Sequence, residues 1–123
     1  MEKVLCRREA VPIKERMLGL KDAMDLFSGK WKFNLLLNLH NSGEMRFKDL
    51  LETSVGISSK VLSNELQELE ENLMITRTVN NTKPVTVTYA ITEYAIQAEP
   101  VISALIDFGL THREAIKRKV MQH

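Results

Sequence analysis

From Ser58 to Leu73 the apolar positions Leu62, Leu66, Leu69 and Leu73 return at steps of four, three and four. That spacing puts them on one face of an α-helix. Ser58 or Ser59 can cap its start by accepting a backbone N–H that would otherwise lack a partner. The opposite face carries Ser59, Lys60, Ser63, Asn64 and Gln67. Upstream, Ala23, Met24, Leu26 and Phe27 predict a short amphipathic helix from Lys21 to Phe27, with Ser28-Gly29 ending it. Trp31, Leu35, Leu36 and Leu39 give the stretch from Lys30 to Asn38 a broad apolar face, which places that helix at the centre of the core. His40-Asn41-Ser42-Gly43 is turn chemistry. Met45-Arg46-Phe47 is a brief extended piece, Phe47, Leu50 and Leu51 line a short helix, and Val55-Gly56 interrupts it.

Two helices across a tight turn with glycine make a helix-turn-helix pattern, a weak signal when taken alone. The segment after it strengthens the signal. Met74 to Val79 is rich in Ile, Thr and Val. Val85, Val87, Tyr89 and Ile91 then alternate with Thr86, Thr88, Ala90 and Thr92, the period of a strand with one buried face. Asn80-Asn81-Thr82-Lys83-Pro84 between them predicts a β-hairpin. Helices, a helix-turn-helix corner and then a hairpin is the order of a winged helix. The expected fold is therefore α+β and mostly helical, with a two-stranded wing over 75–91.

After Glu93 helical spacing returns. Val101, Leu105 and Phe108 form one stripe, and Ile102, Ile106 and Leu110 form another beside it. Such a face is wider than one small domain needs, and a second copy of the chain is the natural cover. The alternative is that the face folds back on its own core. Residues 1–20, interrupted by Pro12, read as an arm that turns helical after the proline. Residues 21–92 read as the winged-helix core, and 93–123 as a C-terminal dimerisation helix with a basic tail.

Composition narrows the class. A chain of 123 residues suits one domain with one core. No apolar run approaches the length of a membrane span, and charges recur from Glu2 to Lys21 where a signal peptide would be apolar. A lone Cys6 cannot form an internal disulfide, which agrees with a reducing cytoplasm. The net charge of +1 is uninformative, but charge is segregated. Met1–Lys21 carries six Lys/Arg against three Asp/Glu, and the tail from Thr111 carries four against one. Glu65, Glu68, Glu70 and Glu71 crowd the end of the 58–71 helix. A near-neutral protein with such patches can still bind a polyanion through one surface.

Short polar donors and acceptors with a cation near a helix N-terminus are the chemistry that reads base edges and phosphates in a major groove. By itself the face could equally be solvated surface. On the wing, Arg77 and Lys83 supply cations, and Asn80, Asn81 and Thr82 supply groups suited to a backbone or minor groove. Lys30, Lys32, Arg46 and Lys48 are further candidate phosphate contacts. Other chemistry finds no support. His40, His112 and His123 are scattered, Cys6 has no partner at ligand spacing, and there is neither a phosphate-cradling glycine loop nor a nucleophile elbow. No cofactor, metal or catalytic residue is expected. Met17, Met24, Met45 and Met74 read as core filler, and Trp31 as core.

Together these pieces resemble the HxlR-type winged-helix transcriptional regulators. The resemblance rests on Gly29-Lys30-Trp31, on Arg46-Phe47-Lys48-Asp49-Leu50, and on Gly56-Ile57-Ser58-Ser59-Lys60-Val61-Leu62-Ser63. It continues through Leu66-Gln67-Glu68-Leu69-Glu70, Pro84, Tyr89-Ala90-Ile91-Thr92 and Pro100-Val101. The resemblance implies a cytoplasmic homodimer, paired through Val101, Ile102, Leu105, Ile106 and Phe108, on a pseudo-palindromic operator in double-stranded DNA. By the same analogy Ser58, Ser59, Lys60, Ser63, Asn64 and Gln67 face the major groove, while the wing with Arg77, Thr82 and Lys83 reaches the adjacent backbone. A small-molecule effector acting on the dimer is compatible with this reading. The competing class is a winged-helix adaptor that binds a basic protein through the acidic run Glu65–Glu71. The chain also departs from the family. The Cys-Pro sensor pair of many members would fall on Leu18-Gly19. Glu65 stands where a basic residue is frequent and is expected to weaken the phosphate-binding side of the helix. Asn72 and Ala95 stand for turn glycines, and Phe108 for a usual tryptophan.

Overall fold

The computed structural model describes residues 10–122, so Cys6 and the start of the arm lie outside the described residues. The first helix, α1 (Ile13–Leu26), opens directly behind Pro12, whose carbonyl accepts from the Arg16 amide at 3.0 Å. Proline's fixed φ suits a helix entry, where a missing N–H costs nothing. The helix thus runs through the expected boundary at residue 20 instead of beginning at Lys21. None of its residues is buried. Met17 and Met24 are therefore exposed, contrary to their expected role as core filler, whereas Met45 and Met74 do fill the core.

Helix α2 (Lys32–Ser42) carries Leu35, Leu36 and Leu39 inward. It continues through His40, Asn41 and Ser42, which the sequence suggested as a turn, and stops at Gly43. There φ is +81°, and the glycine amide reaches the Leu39 carbonyl at 2.8 Å. Only a residue without Cβ takes that conformation cheaply. A short strand, β1 (Glu44–Arg46), leads into α3 (Phe47–Thr53), and after a turn at Gly56 the chain enters α4 (Ser59–Glu71). Helix α4 buries Leu62, Leu66 and Leu69. The six leucines of α2 and α4 are half of the twelve buried apolar residues of the core. Each fully buried leucine contributes roughly 1.5–3 kcal/mol relative to exposure.

Leu73 does not join that stripe. It is 65% exposed, and Met74 takes the inward position. The helix closes with the Met74 amide on the Leu69 carbonyl at 2.9 Å and the Leu73 amide on the Glu70 carbonyl at 3.0 Å. This double closure puts the residue between helix and strand in the left-handed region. That residue is Leu73, at φ +67°, not Asn72, at φ −93°. The expectation that Asn72 fills a glycine position was off by one residue. Ala95 is helical and buried and needs no glycine's freedom.

The hairpin consists of β2 (Ile75–Asn80) and β3 (Thr86–Ile91). Strand β1 also pairs with β3, so the sheet has three antiparallel strands in the order β1-β3-β2, one more than the expected two-stranded wing. Being central, β3 is covered on both sides near its middle. Thr88 as well as Tyr89 is buried, and Thr88 Oγ1 accepts from Asn80 Nδ2 at 3.2 Å. Val85, expected on the buried face, is exposed because the hairpin tip runs past the core. Thr92 then joins the halves: its hydroxyl donates to the Leu73 carbonyl at 2.7 Å and accepts from the Ala95 amide at 3.0 Å. Helix α5 (Glu93–Ile96) follows, and then α6 (Glu99–Met121).

A leucine held at positive φ costs about 1–2 kcal/mol relative to glycine. Leu73 buries little that glycine would lose. Leu73→Gly should therefore raise unfolding stability by about 0.5–1 kcal/mol after the greater freedom of the unfolded glycine is subtracted. Denaturant titration checks this, and a loss of stability would contradict it.

Candidate nucleic-acid interface

The corner between α3 and α4 is built by its backbone. Gly56 sits at φ +94°, and the Ile57 amide donates to the Ser54 carbonyl at 3.0 Å. Ser58, not Ser59, is the cap of α4; its Oγ accepts from the Val61 amide at 3.1 Å. That use leaves the Ser58 O–H free to donate outward. No acidic residue occupies the first turn of α4, so the positive end of the helix dipole keeps its attraction for an anion.

Beyond the cap, Ser59, Lys60, Ser63, Asn64 and Gln67 are all exposed, opposite the buried leucines. Along the sheet, Met45, Tyr89 and Arg77 pair in one row across the three strands. A surface groove lined by Ser63, Gln67, Glu70, Arg77 and Tyr89 joins that row to α4. The fold thus brings Ser63, Gln67 and Arg77 together. Thr82 and Lys83 stand apart at the hairpin tip, where the Thr82 hydroxyl donates to the Pro84 carbonyl at 2.9 Å. Arg46 and Lys48 are exposed at the start of α3, where the Arg46 amide donates to Asp49 Oδ2 at 3.3 Å. Among the described residues no ion pair occupies Arg46, Lys48, Lys60, Arg77 or Lys83. Lys30 is exposed, with Nζ 4.9 Å from the centre of a Trp31 ring.

One expectation is overturned at the other edge of α4. Lys32 is no phosphate contact: it is 3% exposed. Its ammonium lies 2.7 Å from Glu65 Oε2, pairs with Glu68, and donates to the Ser28 carbonyl at 3.3 Å. Glu65 and Glu68 consequently turn toward α2, where one ammonium meets two carboxylates and Glu68 stays half-exposed, so part of their negative charge remains. Burial pushes the Lys32 pKa down, but hydrogen bonds and attraction from Glu65 and Glu68 outweigh it and hold the group above its ordinary 10.5. The triad escaped sequence reading, yet a signal existed. Lys32 falls on the inward stripe three and four residues before Leu35 and Leu36, and Glu65 and Glu68 are three apart on one helix edge.

On α6, Val101, Leu105, Ile106 and Phe108 are exposed, Phe108 to 70%, and Ile102 is half-buried. The two stripes part company. Ile102 and Ile106 line a cavity of about 90 Å³ with Leu36, Leu37 and Ile91, so these two border their own core while Leu110 is exposed. Val101 and Leu105 line an apolar groove of about 540 Å³ with Leu20, Met24, Phe27 and Phe33. Among the described residues no cluster of His, Cys, Asp or Glu could hold a metal, and no helix is long and apolar enough to cross a membrane.

A capped helix with an outward polar face, leucine-backed and flanked by a hairpin with free cations, defines a winged helix-turn-helix DNA-binding protein. The HxlR-like helix-turn-helix family model matches residues 26–117, and the chain belongs to that family of transcriptional regulators. The HTH-type transcriptional regulator YdeP of Bacillus subtilis is 32% identical over 99 residues, spanning 80% of this chain and 77% of that protein. The regulator YodB of the same organism is 33% identical over 86 residues, 70% of this chain and 76% of that one. The structure of reduced YodB superposes with a TM-score of 0.67 at 31% identity, covering 73% of this chain and 87% of that chain. The redox regulator HypR in its reduced form gives a TM-score of 0.73 at 26% identity, covering 81% and 98%.

Removing the buried cation leaves Glu65 without its partner, so Lys32→Met should cost about 3 kcal/mol at neutral pH, the low end for a broken buried pair because Glu68 is half-exposed. Because the folded-state pKa of Lys32 is raised, the triad's contribution is complete below pH 10.5 and is lost as pH rises through the folded value above it. Denaturation of wild type and variant across pH 7 to 11 should show a constant gap that closes only at the alkaline end. A gap that closed near neutrality would contradict this.

Proposed function

We propose that the protein acts in the cytoplasm as a two-fold dimer that places its α4 helices in successive major grooves of a pseudo-palindromic operator. Ser59, Lys60, Ser63, Asn64 and Gln67 read the bases, with Ser58 and Arg77 at the edges. Arg46, Lys48, Thr82 and Lys83 hold the backbone on either side. The observation that carries this reading is the outward polar face of α4 on a rigid leucine backing. Pairing through Val101, Leu105 and Phe108, with Ile102 and Ile106 behind them, is supported by the apolar groove between α1 and α6. A groove of that size on a small domain favours cover by a second copy. The adaptor reading loses part of its support, because Glu65 and Glu68 of the acidic run are engaged with Lys32.

The regulatory signal differs from that of a thiol sensor at this position. Leu18, exposed on α1, has no nucleophile to offer an oxidant or electrophile. One structure of YodB is of its quinone-bound form. For the present chain we favour a small effector held without a covalent bond, which acts by binding one spacing of the two reading heads better than the other.

Asn64→Ala should lower discrimination between the preferred duplex and a scrambled one by about 1–3 kcal/mol. Lys83→Ala should weaken binding to both duplexes alike and reduce the salt slope by about one. Fluorescence anisotropy across a salt series measures both, and two variants that bind like wild type would sink the placement of helix and wing. Leu105→Glu should give monomers by sedimentation and weaken operator binding by about 100-fold or more, because the second half-site is no longer tethered. A dimer that persists would redirect the interface elsewhere.

A further inference from the structure

We propose that Lys32 is a positioning residue for DNA reading: gripped by Glu65 and Glu68, it fixes the rotation of α4 about its own axis. The proposal rests on α4 being the recognition helix. Leu62, Leu66 and Leu69 press that helix onto the core. Apolar contact is non-directional, however, and a leucine stripe tolerates a small roll of the helix. An ammonium fixed in place and paired with two carboxylates of the same helix tolerates it less. Glu65 directly follows Asn64 and Glu68 directly follows Gln67, so a roll that re-aims the reading residues must also pull both carboxylates from the ammonium.

The grip has a fixed base. Lys32 Nζ donates to the Ser28 carbonyl at 3.3 Å, which ties it to the turn before α2. In that turn Gly29, at φ +89°, brings its backbone close to α4: a Cβ there would lie 3.7 Å from Glu65 Oε1. Trp31 reaches the other end of the corner, with its ring 3.9 Å from where a Cβ on Gly56 would sit. One five-residue turn from Ser28 to Lys32 therefore touches α4 at its side and just before its start. Net stability alone does not account for such a device, since apolar residues of similar volume commonly replace a buried ion pair at no loss. What an apolar replacement does not supply is direction.

The test compares wild type with a triple variant, Lys32→Met, Glu65→Met and Glu68→Gln, on a duplex that wild type selects from a random pool and on a scrambled duplex. The triple variant should melt within about 4 °C of wild type and keep its salt slope, yet prefer the selected duplex by at least about tenfold less. A triple variant with wild-type preference would overturn the proposal, because packing alone would then aim the helix. Should that variant fail to fold, Glu68→Gln replaces it, since Glu68 is half-exposed and its loss leaves the core filled. There a preference lower by about threefold or more is expected, and an unchanged one overturns the proposal. If wild type selects no duplex at all, it is the recognition-helix reading that fails, and the two failures are distinguishable.

Discussion

The burial of Leu62, Leu66 and Leu69 in the core they share with Leu35, Leu36 and Leu39 is the constraint on which the rest of the molecule depends. It turns one face of α4 irrevocably inward, and by helical geometry that decides what faces out. The interior is packed like a solid, so the outward face is presented on a stiff support. Polar side chains on such a support reach a duplex without first losing the freedom they would have on a loop. The same core also receives Met45, Ile75 and Tyr89 from the sheet, which sets the hairpin beside the helix it accompanies.

Around that core the charges are sorted by where they can be met. Glu65 and Glu68 are turned to Lys32 on the inner edge, while Lys60, Arg77 and Lys83 are exposed and make no ion pair among the described residues. A net charge near neutrality thus leaves room for exposed cations gathered on one side. For a polyanion the local sign governs approach. Glu70 lines the groove beside Arg77 and sets a negative charge next to that cation.

The helix-turn-helix and the wing were legible because their signals are periodic and local. The steps between Leu62, Leu66 and Leu69, the glycine at 56 and the β-branched run ending at Ile91 each specify an element without reference to distant residues. What eluded the sequence depends on tertiary context. Leu73 continues the heptad-like spacing but falls after the helix has closed, so its side chain leaves the stripe. Met17 and Met24 look like core residues but lie on a helix none of whose residues is buried. Thr88 is buried where the alternation placed it outside because β1 makes β3 a central strand, and a three-residue strand leaves almost no periodic trace. Lys32 reads as a surface cation until the carboxylates of another helix are seen beside it. Of the expected contact residues, the set on α4 was readable from helical phase, whereas the company of Arg77 with Ser63 and Gln67 required the register of the sheet.

Selection of bound fragments from a random duplex pool, followed by sequencing, tests most directly whether the outward face of α4 reads DNA. A two-fold symmetric consensus is predicted, with half-site centres about 10 base pairs apart or a multiple of that, as two related recognition helices require. Recovery of unenriched sequence at low salt, or a consensus without symmetry, would contradict a paired reading head.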